Sequence, residues 1–242
     1  MWKRTAGGRV LTFHLAGINN QNFLMRDDET GSYWQQISGR AISGPLSGSQ
    51  LEPVRSDELT FSLWRSEWPA GTVLKRVAKY TDEYETKDWE VHMLKARTVL
   101  AFPQTGIKPR ELMLGICSFG ASRAFPVSRI LKEKLIEDRV GTEPVVIVVG
   151  ADNKSIRVFR SRLKAGEAAP DFYRDPGLDK SNDRNAPGSP MMIDSSTGSH
   201  WNFRGCAVSG KLAGHCLEAV PAIKDYWFDW RNYHPDTSVF RM

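Results

Sequence analysis

Polar and apolar residues alternate from Arg9 to Phe13, the pattern of a strand with one buried face. Phe23-Leu24-Met25-Arg26 predicts a second strand, and Tyr33 to Gln36 the returning strand of a hairpin. Asp27-Asp28-Glu29-Thr30-Gly31-Ser32 between them is turn chemistry: Asp and Thr side chains bond nearby backbone, and Gly admits positive φ. Gly44-Pro45-Leu46-Ser47-Gly48 predicts a tight turn. Leu51-Glu52-Pro53-Val54 predicts a short edge strand, because proline cannot serve a central ladder. Asp57 to Trp64 predicts a short helix, with acids in its first turn and Leu59, Leu63 and Trp64 on one face. Trp68-Pro69 ends it, and Val73-Leu74 begins another strand. Arg76 to Gln104 is polar and irregular.

Downstream, Leu112 to Ile116 predicts a strand and Gly120-Ala121-Ser122 a turn. Arg123-Ala124-Phe125-Pro126 leads into a helix expected from about Val127 to Asp138. Pro144-Val145-Val146-Ile147-Val148-Val149 is the clearest core strand, apolar on both faces. Gly150-Ala151-Asp152-Asn153 turns back into Ser155 to Phe159, a strand matched here to Arg9–Phe13. Asp171 to Pro190 reads as a loop. Strand, turn and helix then recur through Met191-Met192-Ile193, Asp194 to Ser199, Trp201 and Tyr226 to Trp230.

That recurrence is visible residue by residue. Thr30-Gly31-Ser32-Tyr33-Trp34 reappears as Thr197-Gly198-Ser199-His200-Trp201. From Gly39 onward, one residue out of step, Gly39, Ala41, Ser43, Gly44, Trp64 and Pro69 pair with Gly205, Ala207, Ser209, Gly210, Trp230 and Pro235. Two copies argue for a duplicated unit, since a solenoid needs about three repeats or more. The second copy carries an upstream half, from Leu112 to Val149, with no match in the first.

The expected fold is therefore α+β and β-rich. Two homologous mixed-sheet units would be related by a pseudo-twofold, the first truncated at its N-terminus. Residues 1–103 hold the first unit plus a linker and 104–242 the second, in one compact body. An open sheet edge left by the missing half favours a homodimer.

With 242 residues, 40% apolar and 25% charged, the chain has a globular composition. No window approaches the ~20 apolar residues of a membrane helix. Met1-Trp2-Lys3-Arg4 is followed by Thr5-Ala6-Gly7-Gly8-Arg9 instead of the apolar core of a signal peptide, so the chain reads as cytoplasmic, mature or truncated. The net charge of +5 is spread among interleaved acids, which argues against a nucleic-acid surface. Three cysteines, an odd number without CxxC spacing, give no disulfide framework. Cys117, in an apolar run, is expected as a buried thiol.

The residues around Asn19 to Asp27, Thr30 to Gln36, Arg123-Ala124-Phe125-Pro126, Tyr226-Trp227-Phe228-Asp229-Trp230 and Tyr233-His234-Pro235-Asp236-Thr237 together resemble the bacterial domain-of-unknown-function family 3179. The resemblance spans nearly the whole chain. It implies an exported, periplasmic or otherwise extracytoplasmic protein, and carries no settled activity. Many members end the core strand with Tyr-Cys-Pro-x-Cys, which suggests thiol-redox or metal chemistry. Here the two cysteine positions fall on Gly150 and Asn153, and a histidine of the preceding helix falls on Glu133, so that site is lost.

Two residue sets remain as candidates. His200, Cys206, His215, Cys216 and His234 are ligand types for a transition metal, although their spacing matches no metal signature. Their counterparts Tyr33, Arg40, Ser49, Gln50 and Trp68 are not strong ligands. Asp27, Trp34 and Gln35, in phase with Asp194, Trp201 and Asn202, could form a polar-aromatic pocket in each copy; as structural residues they would be turn, core and backbone anchor. No nucleophile elbow, phosphate loop or dinucleotide fingerprint is present. The sequence predicts no cofactor and names no partner. It favours a non-enzymatic binding or interaction protein of the cell envelope, with thiol-redox or metal handling as the alternative.

Overall fold

The computed structural model describes residues 1–19, 22–96, 106–163, 166–177 and 188–241. It is β-rich, with five sheets and four short α-helices among those residues. A ribbon of β1 (Thr5–Ala6) and β2 (Arg9–Val10) precedes an antiparallel meander of β3 (Phe13–Asn19), β4 (Asn22–Asp27), β5 (Tyr33–Gln35) and β6 (Ala41–Ser43). Leu11, Trp34, Ala41 and Leu51 form its small core.

Helix α1 (Phe61–Glu67) starts at Thr60, whose hydroxyl caps the Leu63 N–H. This is later than the sequence suggested, because the acids expected in its first turn are used elsewhere: Asp57 binds Arg157 and Glu58 binds Lys224. Val73 and Leu74 lie outside any strand. A 3-10 turn (Ala78–Glu83) and α2 (Trp89–Lys95) occupy part of the stretch read as irregular.

In the second half, β7 (Leu112–Ser118) and β8 (Ala121–Pro126) form a hairpin. Phe119 and Gly120 at its turn both take positive φ, 56° and 74°. Helix α3 (Val127–Glu133) stops at Lys134, where φ is 68°, and β9 (Leu135–Val140) follows. The helix expected to Asp138 is thus half strand. Ile136 and Val140 are buried, and pairing with β10 (Glu143–Val149) outweighs the local helical preference. β10 runs between β9 and β11 (Ile156–Arg160). Its Val145, Ile147 and Val149 enter one core, while Val146 and Val148 enter the other. That is why this strand lacks polar alternation.

A second meander follows: β12 (Phe172–Arg174), β13 (Pro190–Asp194), β14 (His200–Asn202) and β15 (Ala207–Ser209). β12 lies where a loop was expected. β16 (Ile223–Tyr226) pairs with β7, α4 (Trp227–Tyr233) follows, and β17 (Ser238–Val239) runs parallel to β8.

The two meanders carry the same bonds. Val54 N–H donates to Met1 O as Val220 N–H does to Val158 O, both at 2.9 Å. Lys3 N–H donates to Glu52 O (2.9 Å) and Arg160 N–H to Glu218 O (2.8 Å). The ion pair Lys3–Glu52 has its counterpart in Arg160–Glu218, both at 2.6 Å. Gly39 and Gly205, with φ of 68° and 77°, lie against the rings of Trp2 and Phe159; a Cβ on either would enter the ring. Phe13 meets Trp34 edge-on at 5.7 Å, as Phe172 meets Trp201 at 5.8 Å. Met1–Lys3 therefore corresponds to Val158–Arg160, and Phe13 to Phe172. This corrects the match of Arg9–Phe13 with Ser155–Phe159, a slip caused by an intervening segment of different length.

The halves interlock. Leu59 and Leu63 pack on the second core, and the buried Arg157 guanidinium holds Glu67 through two bonds of 2.8 Å and Asp57 at 2.9 Å. In the other direction, Asn22 Nδ2 donates to Asp229 Oδ2 (2.8 Å) and Tyr233 Oη to Asn19 O (2.9 Å). The unit boundary expected at 103/104 lies outside the described residues.

Candidate functional site

Asp27 and Asp194 each end a strand at a Thr-Gly-Ser turn, and their side chains face inward. Each accepts the indole N–H of its tryptophan: Trp34 Nε1 to Asp27 Oδ2 at 2.7 Å, and Trp201 Nε1 to Asp194 Oδ2 at 3.0 Å. Thr30 and Thr197 donate both N–H and Oγ1–H to the same carboxylates. Burial pushes both carboxyls up, but these hydrogen bonds outweigh it and hold them below the usual aspartate range. Ser32 and Ser199 extend the network by accepting the Leu46 and Leu212 N–H groups. Gln35 bridges Asn19 and Ser38, whereas Asn202 accepts the Arg204 and Cys206 N–H groups. The six residues fall into two separate sets whose polar atoms bond the chain's own groups and so anchor turns and cores, and Trp201 also lines a hollow beside Cys216.

The metal candidates are dispersed. Cys206 and Cys216 are joined in a disulfide, so neither supplies a thiolate, and the absence of a disulfide expected from the odd cysteine count is corrected. Backbone pairing of Cys206 with Cys216 across the turn brings the sulfurs together. His200 Nδ1 contacts the buried Asp175 Oδ2 at 2.5 Å. His215 is exposed. His234 packs on Trp230 with ring centroids 3.9 Å apart and planes tilted by 32°, and burial holds its imidazole below the usual range. Among the described residues, no three His, Cys, Asp or Glu side chains gather as a metal would need. Cys117, expected buried, is exposed at the end of β7, and partial desolvation raises its thiol pKa.

Two features at the junction escaped sequence reasoning. The first is a cleft of about 350 Å³ between the chain start and the second half. Met1, Trp2 and Ile37 line one side; Leu114, Val158, Val220 and Ile223 line the other. Arg55, Asp57, Glu58, Arg157 and Lys224 supply its charges, which are paired with one another or with Glu67. Arg157 was the available signal, a charge set between apolar neighbours in Ile156-Arg157-Val158-Phe159.

The second feature is an acid pair. Burial and the nearby Asp229 charge push the Asp225 carboxyl up to about 8, and burial also raises Asp229 against its bond from Asn22. Asp225 Oδ2, Asp229 Oδ1 and Asn22 Oδ1 are buried without a hydrogen-bond partner. Burial and these two acids push the Tyr233 hydroxyl up to about 12. Asp225, Asp229 and Tyr233 recur at four-residue spacing, which was legible in the sequence. The incoming Asn22, 207 positions away, was not.

Fold and site thus define a β-rich protein of two interlocked meanders with a cleft at their junction. The chain belongs to the family described as Protein of unknown function (DUF3179), whose model matches residues 1–237. No curated protein and no solved structure matches it. Among the described residues, no helix is long and apolar enough to cross a membrane.

Proposed function

We propose that this is a non-enzymatic binding protein of the bacterial cell envelope, built from two homologous units about a pseudo-twofold, with the junction cleft as its ligand seat. The cleft carries the reading. Its size is that of a small-molecule site, and its apolar walls with a few charged groups suit a small amphipathic molecule. The matched backbone bonds at Val54 and Val220, and at Lys3 and Arg160, support descent of both units from one ancestor. The Cys206–Cys216 disulfide supports an oxidising compartment. The place of the family's cysteine motif is a closed turn: Gly150 N–H donates to Ser155 O, and Thr60 Oγ1 donates to Asp152 Oδ2 at 2.7 Å. A side chain at Gly150 would crowd Phe203, which supports a degenerate family site.

Ile223 lines the cleft and is 40% exposed, so Ile223→Trp fills the seat without burdening the core. A thermal-shift screen of small amphipathic compounds is expected to yield stabilisers of the wild type that lose their effect on Ile223→Trp. Stabilisers acting equally on both proteins would place binding elsewhere.

A further inference from the structure

The disulfide sits where the fold does not require one. In the first meander Arg40 pairs with Gln50 as Cys206 pairs with Cys216, and no covalent link joins them. The surrounding backbone bonds are nonetheless the same. Gln35 N–H donates to Arg40 O and Asn202 N–H to Cys206 O, both at 2.9 Å. Ala41 N–H donates to Ser49 O (2.9 Å) and Ala207 N–H to His215 O (2.8 Å). Leu51 N–H donates to Gly39 O (2.9 Å) and Leu217 N–H to Gly205 O (2.8 Å). The first meander is an internal control showing that this turn closes on hydrogen bonds alone.

The disulfide is also reachable. Cys216 is exposed and Cys206 half-buried. Cys216 lines a hollow of about 420 Å³ with Arg160, Arg162, Leu212, His215 and Glu218, while Cys206 does not line it. Attack on a disulfide is governed by access to one sulfur. Here the open approach is to Cys216 Sγ.

We infer that Cys206–Cys216 is a reversible thiol–disulfide exchange centre, and that the hollow beside Cys216 receives a small organic thiol. The thiolate attacks Cys216 Sγ, forms a mixed disulfide there and expels Cys206 as thiolate, which takes up a proton. A second thiol attacks the ligand's sulfur in that mixed disulfide. Cys216 leaves as thiolate, also to be protonated. In sum two thiols are oxidised to one disulfide, and the protein's disulfide is reduced to two thiols. The inference is independent of the cleft.

Glutathione is a suitable probe for the full-length protein. Under native conditions, alkylation and mass spectrometry should show Cys206 and Cys216 becoming reduced while circular dichroism stays unchanged. The exposed Cys117 provides the always-alkylated reference. With oxidised glutathione, Cys206→Ser should acquire the adduct at Cys216 at least about tenfold faster than Cys216→Ser acquires it at Cys206, because access sets the rate. The double variant should keep its fold and melt no more than about 10 °C lower, as expected for losing a short closed loop. Reduction only with loss of native dichroism, equal adduct rates, or an unfolded double variant would each overturn the inference.

Discussion

Asp194 and Asp225 are both withdrawn from water, yet their carboxyls are driven in opposite directions. Asp194 meets three kinds of donor (an indole, hydroxyls and backbone N–H), so its charge is answered. Asp225 faces another acid and keeps a buried oxygen without a partner. The pH signs follow. Asp194 is depressed in the folded state, so its contribution is present above the ordinary aspartate pKa and is lost as pH falls through the lower folded value. Asp225 is raised from 3.8 to about 8, so the folded state holds the proton more tightly. Its contribution is full below about pH 4 and declines as pH rises to about 8. Asp225→Asn should remove a fall in stability of up to about 1 kcal/mol per pH unit across that window, read from urea unfolding at pH 5, 6.5 and 8. An unchanged slope would refute the assignment. Asp194→Ala should cost about 2–3 kcal/mol in the same assay at pH 7, because the Trp201 N–H and the Thr197 donors lose their acceptor in the interior.

At the scale of elements, what could be read in the sequence depended on where the deciding contacts lie. β10 was legible because burial on both faces shows as an unbroken apolar run. The Thr-Gly-Ser turns were legible because their hydrogen bonds are local. β9 was hidden: its six residues become a strand through pairing with β10, not through their own preference. β12 was hidden too, a three-residue strand in polar surroundings held by Asp194 and Met192 across the ladder. Helix placement follows the same logic. Trp230 of α4 packs on Gly115 of β7 so closely that a Cβ there would lie 2.3 Å from the ring. Gly115→Ala should therefore cost about 1–3 kcal/mol, measured by chemical denaturation; a neutral effect would mean that α4 can shift freely. Arg157 positions α1 through Glu67, both side chains being 4% exposed. Glu67→Ala should expose residues 55–70 to limited proteolysis and cost about 3–5 kcal/mol, since a buried guanidinium then loses its main counter-charge. Resistance equal to wild type would place the anchoring of α1 elsewhere.

For the whole molecule, four of the residues that first suggested chemistry hold the scaffold together. Asp27, Trp34, Asp194 and Trp201 secure two meanders, while the cleft and the acid pair arise only where one half meets the other. The contacts that bring the halves together there link residues 90 to 214 positions apart, and beyond the four-residue spacing of Asp225, Asp229 and Tyr233 no local pattern displays them. The proposed ligand seat is one of these junction features. Native mass spectrometry of the protein purified from its own cells without added ligand, beside Ile223→Trp prepared in the same way, tests the proposed ligand seat most directly. The account predicts a non-covalent small-molecule adduct on the wild type that is absent from the variant. A bare wild type, or the same adduct on both, would contradict it.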